Sequence, residues 1–143
     1  MIQIISFTYD NILFYQARQI REEVFIDEQR VPKALEYEGD EEARHYLLFY
    51  EDEPIATARY SITDDEVKLE RFATLEEYRN NGIGAALLNK MLQDVLPLKK
   101  KIYLHAQEKA VNFYLKHGFE IAGEEFMEAE ISHVRMEYQI SDS

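Results

Sequence analysis

The strongest constraint on this chain is a strand, a glycine-bearing turn and a helix that follow one another in residues 67–96. Hydrophobic and charged residues alternate at the start of this stretch, which predicts a strand with two unlike faces. From Ile83 onward the apolar residues recur at helical spacing. Gly82 and Gly84 let the backbone turn tightly and let a ligand approach without meeting a Cβ atom. Because a helix begins with unpaired N–H groups, this turn is a candidate phosphate or pyrophosphate site.

Two familiar phosphate loops do not fit this turn. The dinucleotide fingerprint requires a third glycine three residues after Gly84, where this chain has Leu87. The nucleoside-triphosphate loop requires Gly-Lys-Ser/Thr, but Gly84 is followed by two alanines. The turn carries an R-x-x-G-x-G pattern that starts at Arg79. The alternative interpretation is a tight turn before a packing helix, without a ligand.

Length and composition indicate one soluble domain that spans residues 1–143. The 143 residues are enough for one hydrophobic core and too few for two comfortable ones. There is no cysteine, which excludes a disulfide framework, a thiol nucleophile and a thiolate metal site. No apolar run approaches the roughly 18 residues that span a bilayer, and we expect no secretory leader. A cytoplasmic location is therefore the default expectation.

The chain is strongly acidic, with a net charge of −12. This charge argues against binding to nucleic acid or to an anionic membrane, because both require a basic face. It is compatible with a cationic substrate such as an amine, and equally with simple solubility. The acids are concentrated in residues 36–42 and again in residues 124–130.

The rest of the chain predicts an α+β domain with a central mixed sheet. We expect a helix after Asp10 or Asn11 that reaches about Gln29, and a second one from about Lys109 to Gly118. The long segment between the first helix and the next strand is expected to serve binding or to act as a lid. Besides the strand that begins at residue 67, strands are predicted at residues 2–7, 46–50, 55–62, 102–107, 119–123 and 134–140.

Several motifs resemble one enzyme family. The pattern that begins at Arg79 resembles the acetyl-coenzyme A loop of the GNAT superfamily of N-acetyltransferases, and A-x-x-F-Y-x-x-x-G-F in residues 110–119 resembles the later GNAT motif. R-x-E-V-F-x-x-E-Q, H-A-Q and a late Ile-Ser-His-Val-Arg-Met are similar to the ElaA-like branch. Two positions depart from the pattern: Gln107 stands where many GNAT proteins have Asn, and residues 130–133 replace Gly-Ile-Pro-His.

The resemblance implies a central mixed, mostly antiparallel sheet of about seven strands with flanking helices, splayed at the acetyl-CoA site. The pantetheine would hydrogen-bond into the gap like an extra strand, and the amides of the glycine turn would hold the pyrophosphate. The residues that the resemblance assigns to acetyl-CoA are Phe72, Ala73, Thr74, Arg79, Asn80, Asn81, Gly82, Ile83, Gly84, Ala85, Gln107 and Asn112.

The resemblance also implies the chemistry. A primary amine of a small molecule or peptide would attack the thioester directly, Tyr114 would protonate the departing thiolate, and Glu70 would serve as the base. Each residue also has a plainer interpretation. Tyr114 could be a packing residue without a catalytic role, and Glu70 could be an ion-pair partner of Arg71. The four histidines lack the spacing of metal ligands, so no metal is expected. His45, His105 and His133 are further candidates for the base, and together with Glu28 they are candidates for the acceptor side.

The sequence leaves the activity, the oligomeric state and the acceptor open. A GNAT fold could bind acyl-CoA as a sensor or interaction module without turnover, and an unrelated nucleotide-binding domain could use the same helix start. A homodimer is compatible with the sequence. If the acceptor is a small cationic amine, we expect carboxylates to attract it. The acids expected to do so are Glu36, Glu38, Asp40 and Glu70.

Overall fold

The computed structural model describes residues 1–32 and 37–140 as one mixed sheet with helices on both faces. The strands are β1 (Ile2–Thr8), β2 (Arg44–Tyr50), β3 (Glu53–Thr63), β4 (Glu66–Thr74), β5 (Lys101–Gln107), β6 (Phe119–Ile121), β7 (Phe126–Glu128) and β8 (Ile131–Tyr138). The α-helices are α1 (Phe14–Arg21), α2 (Ile83–Val95) and α3 (Val111–Leu115), and a π-helical segment (Glu22–Glu28) continues α1. Short 3₁₀ turns lie at Asp40–Glu42, Glu76–Tyr78, Leu96–Leu98 and Glu108–Ala110.

The strands pair in the order β1-β2-β3-β4-β5-β8-β6, and β7 pairs with β8. β4 and β5 run parallel, whereas the other neighbouring strands run antiparallel. The predicted mixed, mostly antiparallel α+β fold is therefore confirmed. Within the described residues the sheet has eight strands rather than about seven. The additional strand is β7, which lies in an acid-rich stretch without a clear apolar alternation.

The sheet splays open between its two parallel strands, as predicted. The last residue pair that joins β4 to β5 is Leu69 with Leu104. Both strands continue past this pair, β4 to Thr74 and β5 to Gln107. The edges that face each other beyond Leu69 and Leu104 are therefore not joined by a ladder of backbone hydrogen bonds.

A bulge in β4 accompanies this divergence. Against β3, Glu70 pairs with Arg59 and Ala73 pairs with Thr57, so β4 has one more residue than β3 between these pairs. Arg71, one of the intervening residues, has φ +60°. A bulge bends its strand and increases the local twist. The bend comes directly after the last β4–β5 pair and turns β4 away from β5.

Hydrophobic side chains cover each face of the sheet. On one face, α2 buries Leu87, Leu88 and Met91 against strand residues that include Val67 and Leu69. The helical spacing that predicted α2 therefore identified its buried side. Each such side chain stabilises the fold by about 1.5–3 kcal/mol through burial. On the other face, α1 and its continuation bury residues that include Phe14, Ala17, Ile20 and Val24.

The helices around the sheet differ from the prediction in two places. The first helix does reach residue 28, but its α-helical part ends at Arg21 and a π-helical segment completes it. The later helix is shorter than expected, because residues 108–110 form a 3₁₀ turn before α3. Within the described ranges, no helix is both long and apolar enough to cross a membrane.

Gly118 connects α3 to β6 and provides a test of this packing. Its φ is +93°, and a Cβ atom there would lie 2.8 Å from Cε1 of Tyr138. We expect Gly118→Ala to lower the free energy of unfolding by about 2 kcal/mol or more, because it adds both backbone strain and a clash. Urea unfolding at neutral pH measures this.

The matched control is Gly123→Ala, since a Cβ atom at Gly123 would come no closer than 3.9 Å to the Arg135 Cβ. We expect this control to change stability by less than about 0.5 kcal/mol. Equal effects of the two alanines would contradict the described junction between α3 and β6.

Candidate active site

A cleft of about 1280 Å³ opens where β4 and β5 diverge. Its lining includes the turn before α2, the facing parts of β4 and β5, and the β7–β8 hairpin. Most of the residues predicted to bind acetyl-CoA are thus brought together. Those that line the cleft are Phe72, Ala73, Thr74, Arg79, Asn80, Gly82, Ile83, Gly84, Ala85 and Gln107.

The glycine turn leaves the start of α2 open to the cleft. Gly82 caps the helix with φ +76°, and an added Cβ atom there would meet no atom within 4 Å. A Cβ atom on Gly84 would lie 3.6 Å from the ring of Phe113, which also lines the cleft. The N–H groups of the first helical turn have no partner inside the helix. The turn can therefore direct several amide donors at an anion.

Arg79 stabilises this turn and forms an ion pair with Glu28. Its Nε donates a 2.8 Å hydrogen bond to the Thr74 carbonyl, and its Nη2 reaches both carboxylate oxygens of Glu28 at 3.0 and 2.9 Å. The Glu28 carboxylate is thus paired beside the coenzyme loop, and its predicted role on the acceptor side stays a prediction.

Two of the predicted coenzyme residues lie outside the cleft lining in the described part of the chain. Asn81 braces the turn instead, because its side-chain amide donates to the carbonyls of Tyr78 and Arg79 at 3.4 and 3.1 Å. Asn112 is exposed on α3. Gln107 does line the cleft, and its Nε2 donates to Oε1 of Gln29 at 2.9 Å. Gln107 thus links the end of β5 to the end of the π-helical segment.

Tyr114 lines the middle of the cleft and is only 7% exposed. Its ring makes edge contacts with Phe72, Phe113 and Phe119, with centroids 6.1, 5.1 and 5.7 Å away. Burial raises the pKa of the Tyr114 phenol above its ordinary value of 10.0. The phenol is therefore protonated at neutral pH and can act as a proton donor.

Glu70 lines the cleft as an ion-paired carboxylate. Its Oε1 accepts a 2.9 Å hydrogen bond from Nε of Arg59 and lies 2.8 Å from Nη2 of the same guanidinium. Burial would raise the pKa of Glu70, but the charges of Arg59, Arg71 and Lys68 outweigh burial and hold the pKa below its usual value. A carboxylate with a lowered pKa is a weak proton acceptor, so this geometry argues against Glu70 as the base. The predicted alternative, an ion pair, is present, chiefly with Arg59.

A buried charge network fixes the acidic segment next to α1. Asp40, which is 2% exposed, accepts hydrogen bonds at 2.6 Å from Nη1 of Arg21 and from Nη1 of Arg59. Burial favours the protonated acid, but hydrogen bonds and charges from these arginines hold the Asp40 pKa below its usual value. The burial of Asp40 and its pairing with two arginines argue against the expectation that it receives a cationic amine. Glu36 lies outside the described residues, whereas Glu38 lines the cleft.

His45 lies in the hydrophobic core on the side of the sheet that α1 covers. It is 1% exposed, and its Nε2 donates to the Asp40 carbonyl at 2.9 Å. Its ring lies 6.0 Å from that of Phe7 and 4.8 Å from that of Phe14. Burial lowers the His45 pKa, so the ring remains neutral in the core. This burial argues against contact between His45 and the acceptor, which stays a prediction.

The other two predicted histidines do meet at the cleft, together with a carboxylate that the sequence did not single out. Nδ1 of His105 lies 3.2 Å from Glu128 Oε1, and Nε2 of His133 lies 3.7 Å from Glu128 Oε2. All three line the cleft. The β7–β8 hairpin brings them together through a two-residue turn, Ala129 and Glu130, with φ values of +51° and +63°. Glu128 reaches the two histidines only because β7 pairs with β8, and no local sequence pattern predicted that pairing.

Comparison with known proteins agrees with this arrangement. The family described as "Acetyltransferase (GNAT) domain" matches residues 5–140. The chain belongs to the GNAT acetyltransferase family. This GNAT domain is 37% identical over 133 residues to the uncharacterized protein YyaT of Bacillus subtilis, with 89% of each protein covered. It is 34% identical over 120 residues to the uncharacterized N-acetyltransferase YjcF of the same organism, covering 82% of this chain and 86% of YjcF.

A solved structure supports the ElaA-like branch within the GNAT family. The crystal structure of Escherichia coli ElaA is 28% identical to this chain, with a TM-score of 0.86, and the match covers 96% of this chain and 99% of ElaA. The predicted family and branch are thereby confirmed.

The buried network of this GNAT domain makes a testable stability prediction. We expect Asp40→Asn to lower the free energy of unfolding by about 3–5 kcal/mol at pH 7, because Arg21 and Arg59 lose their buried counter-charge. Urea unfolding measures the loss. Glu41→Gln, a change of an exposed acid in the same turn, is the control and is expected to cost less than about 0.5 kcal/mol.

The pH dependence of the wild type follows from the direction of the Asp40 shift. Because the folded-state pKa lies below the unfolded value of 3.8, the stabilisation is present above that value and is lost as the pH falls through the folded pKa. The difference in the free energy of unfolding between wild type and Asp40→Asn should therefore become smaller as the pH falls. A difference that stays constant down to pH 2, or an Asn variant as stable as the Gln control, would contradict this account.

Proposed function

We propose that this protein transfers the acetyl group of acetyl-CoA to a primary amine of a small molecule or peptide. The observation that carries the proposal is a single cleft that connects an open helix start, an unpaired strand edge and a buried tyrosine. An anion site, an extended slot and a proton donor are the three features that direct transfer from an acyl thioester requires. Membership of the GNAT family supports the same reaction class.

The coenzyme would be held mainly by backbone groups. Amides of the turn up to Ala85 suit the pyrophosphate, because the N–H groups at a helix start lack partners inside the helix and lie at the positive end of the α2 dipole. The Arg79 N–H is excluded, since it donates to the Glu76 carbonyl at 3.3 Å. The β4 edge beyond Leu69 suits the pantetheine arm, whose amides can pair with it as a strand would. Charge supports this placement although the whole chain is acidic. Among the described lining residues, the cationic Arg59, Lys68, Arg71, Arg79 and Lys109 outnumber the acidic Glu38, Glu70 and Glu128.

The proposed chemistry is direct attack without a covalent enzyme intermediate. The amine nitrogen forms a bond to the acetyl carbon as the bond from that carbon to sulfur breaks. Tyr114 then supplies the proton that the departing sulfur requires. Two observations support this role: Tyr114 lines the cleft with its ring against Phe72 of β4, and burial keeps its phenol protonated.

Replacement of Tyr114 by Phe tests the proton donor. Tyr114→Phe keeps the ring and its aromatic contacts, so we expect kcat to fall by about 10²–10⁴-fold while the affinity for CoA stays nearly constant. Steady-state turnover and calorimetry measure the two quantities. Tyr15→Phe, on an α1 side chain that is 66% exposed, is the control and should behave like wild type. A Tyr114→Phe enzyme with wild-type rates would leave Tyr114 a packing residue.

The transfer itself is tested by coenzyme release. Purified protein with acetyl-CoA is offered a broad panel of alkyl amines and amino-terminal peptides, and free thiol is measured with time. We expect at least one amine to give catalytic release and an N-acetylated product by mass spectrometry. If CoA binds and no amine provokes release, the protein is an acyl-CoA-binding module without turnover. If NAD or ATP displaces CoA at similar concentrations, the cleft belongs to another nucleotide class.

A further inference from the structure

We propose that His105, oriented by Glu128, accepts the proton that the acceptor amine must lose before it can attack. This inference rests on the proposed acetyl transfer and assigns the proton acceptor for it. An alkylammonium ion has no lone pair for attack, so a group near the acetyl carbon must take its proton. Glu70 is poorly suited, because Arg59 holds its carboxylate in an ion pair.

The hydrogen bond to Glu128 fixes the imidazole tautomer. A carboxylate accepts, so Nδ1 of His105 carries the proton that is donated to Glu128 Oε1 at 3.2 Å. The lone pair of the neutral ring is then on Nε2, which has no hydrogen-bond partner among the described residues. The edge of Phe126, 4.8 Å away between ring centroids, restricts the tilt of the ring. His105 is thus a positioned proton acceptor on the wall of the cleft.

The position of His105 on β5 suits this role. It directly follows Leu104, the last β5 residue paired with β4, so it lies where the two strands begin to separate. Tyr114 lines the same cleft, so a proton donor and a proton acceptor both face the space between the strands. Acetyl transfer requires one group that donates a proton to the sulfur and one that accepts a proton from the nitrogen.

Glu128 also lies near a second imidazole, which has a different function. Nδ1 of His133 donates to the Ile131 carbonyl at 2.7 Å, and its Nε2 is 3.7 Å from Glu128 Oε2, beyond hydrogen-bond distance. His133 therefore supports the hairpin that carries Glu128. The hydrogen bond from His105 is the main influence on Glu128 and lowers the pKa of that carboxyl to about 2, although burial opposes it. The carboxylate thus stays ionised beside His105 across the working pH range.

Other charged groups surround His105 and Glu128. Lys68 acts on Glu128 from β4, and the Arg135 guanidinium lies 3.9 Å over the Tyr103 ring next to His105. The titratable and charged groups around His105 and Glu128 are Lys68 and Glu70 on β4, Tyr103 on β5, and His133 and Arg135 on β8.

The proton balance of the proposed reaction is complete. His105 Nε2 takes one proton from the ammonium group and passes it to solvent. The nitrogen lone pair forms the bond to the acetyl carbon, and the carbon–sulfur bond breaks with its electron pair on sulfur. The sulfur takes the Tyr114 proton, and the second proton lost by the nitrogen restores the phenol. One ammonium ion and one thioester thus yield one amide, one thiol and one proton.

The experiment compares His105→Gln and Glu128→Gln with two matched controls. His117→Gln and Glu125→Gln change a histidine and an exposed acid outside the cleft lining. With an amine that the wild type acetylates, we expect His105→Gln to lower kcat by about 10²-fold or more at neutral pH. We expect Glu128→Gln to shift the acidic limb of the kcat–pH profile by about one unit toward lower pH, because the imidazolium loses its counter-charge. Both controls should keep the wild-type profile.

Added imidazole distinguishes a lost proton acceptor from a damaged fold. His105→Ala leaves space for the free base, so imidazole should restore part of its turnover, whereas it should not restore Tyr114→Phe. Calorimetry with CoA confirms that each variant keeps its coenzyme site. Wild-type turnover with unchanged rate and pH profile in His105→Gln would overturn the inference alone. An effect of Glu128→Gln that is equal at every pH would also overturn it. No turnover by the wild type with any amine would overturn the proposed function and this inference together.

Discussion

The end of the parallel ladder after Leu69 and Leu104 is the constraint on which the site depends. Backbone N–H and C=O groups inside a protein must find partners, so two strands that separate within a sheet leave donors and acceptors for something else to satisfy. The bulge at Arg71 turns β4 aside directly after that pair. The glycine turn follows at the end of β4, so one bent strand places both an extended slot and an anion site along one cleft.

The charge network around Asp40 keeps the elements beside this cleft together. Asp40 is held by Arg21 from α1 and by Arg59 from β3, and Arg59 in turn reaches Glu70 on β4. Breaking such a buried network is costly, because each removed partner leaves an uncompensated charge. The acids of residues 36–42 that were predicted to attract a cationic amine therefore differ in their surroundings. Asp40 is neutralised inside the fold, and Glu38 reaches the cleft wall.

The features predicted correctly from the sequence are those that a local pattern of residues encodes. Helical spacing after Ile83 and the glycines before it identified α2 and the turn, because apolar period and backbone freedom are local properties. Partners from distant segments were not predictable in this way. His45 and His105 look alike in sequence, yet one lies in the core between Phe7 and Phe14 and the other faces the cleft beside Glu128. β7 was missed for the same reason, since its three residues form a strand only through pairing with β8.

Amide hydrogen exchange by NMR tests the central claim most directly. Acetyl-CoA is compared with 3′-phospho-ADP, which carries the phosphates but lacks the pantetheine arm. We expect both ligands to slow exchange in the turn of residues 79–85. We expect acetyl-CoA alone to slow exchange along the free edge of β4, in residues 71–74, and at the end of β5. Tight binding of acetyl-CoA with unchanged exchange in residues 71–74 would contradict the claim that the splayed strands hold the thioester arm.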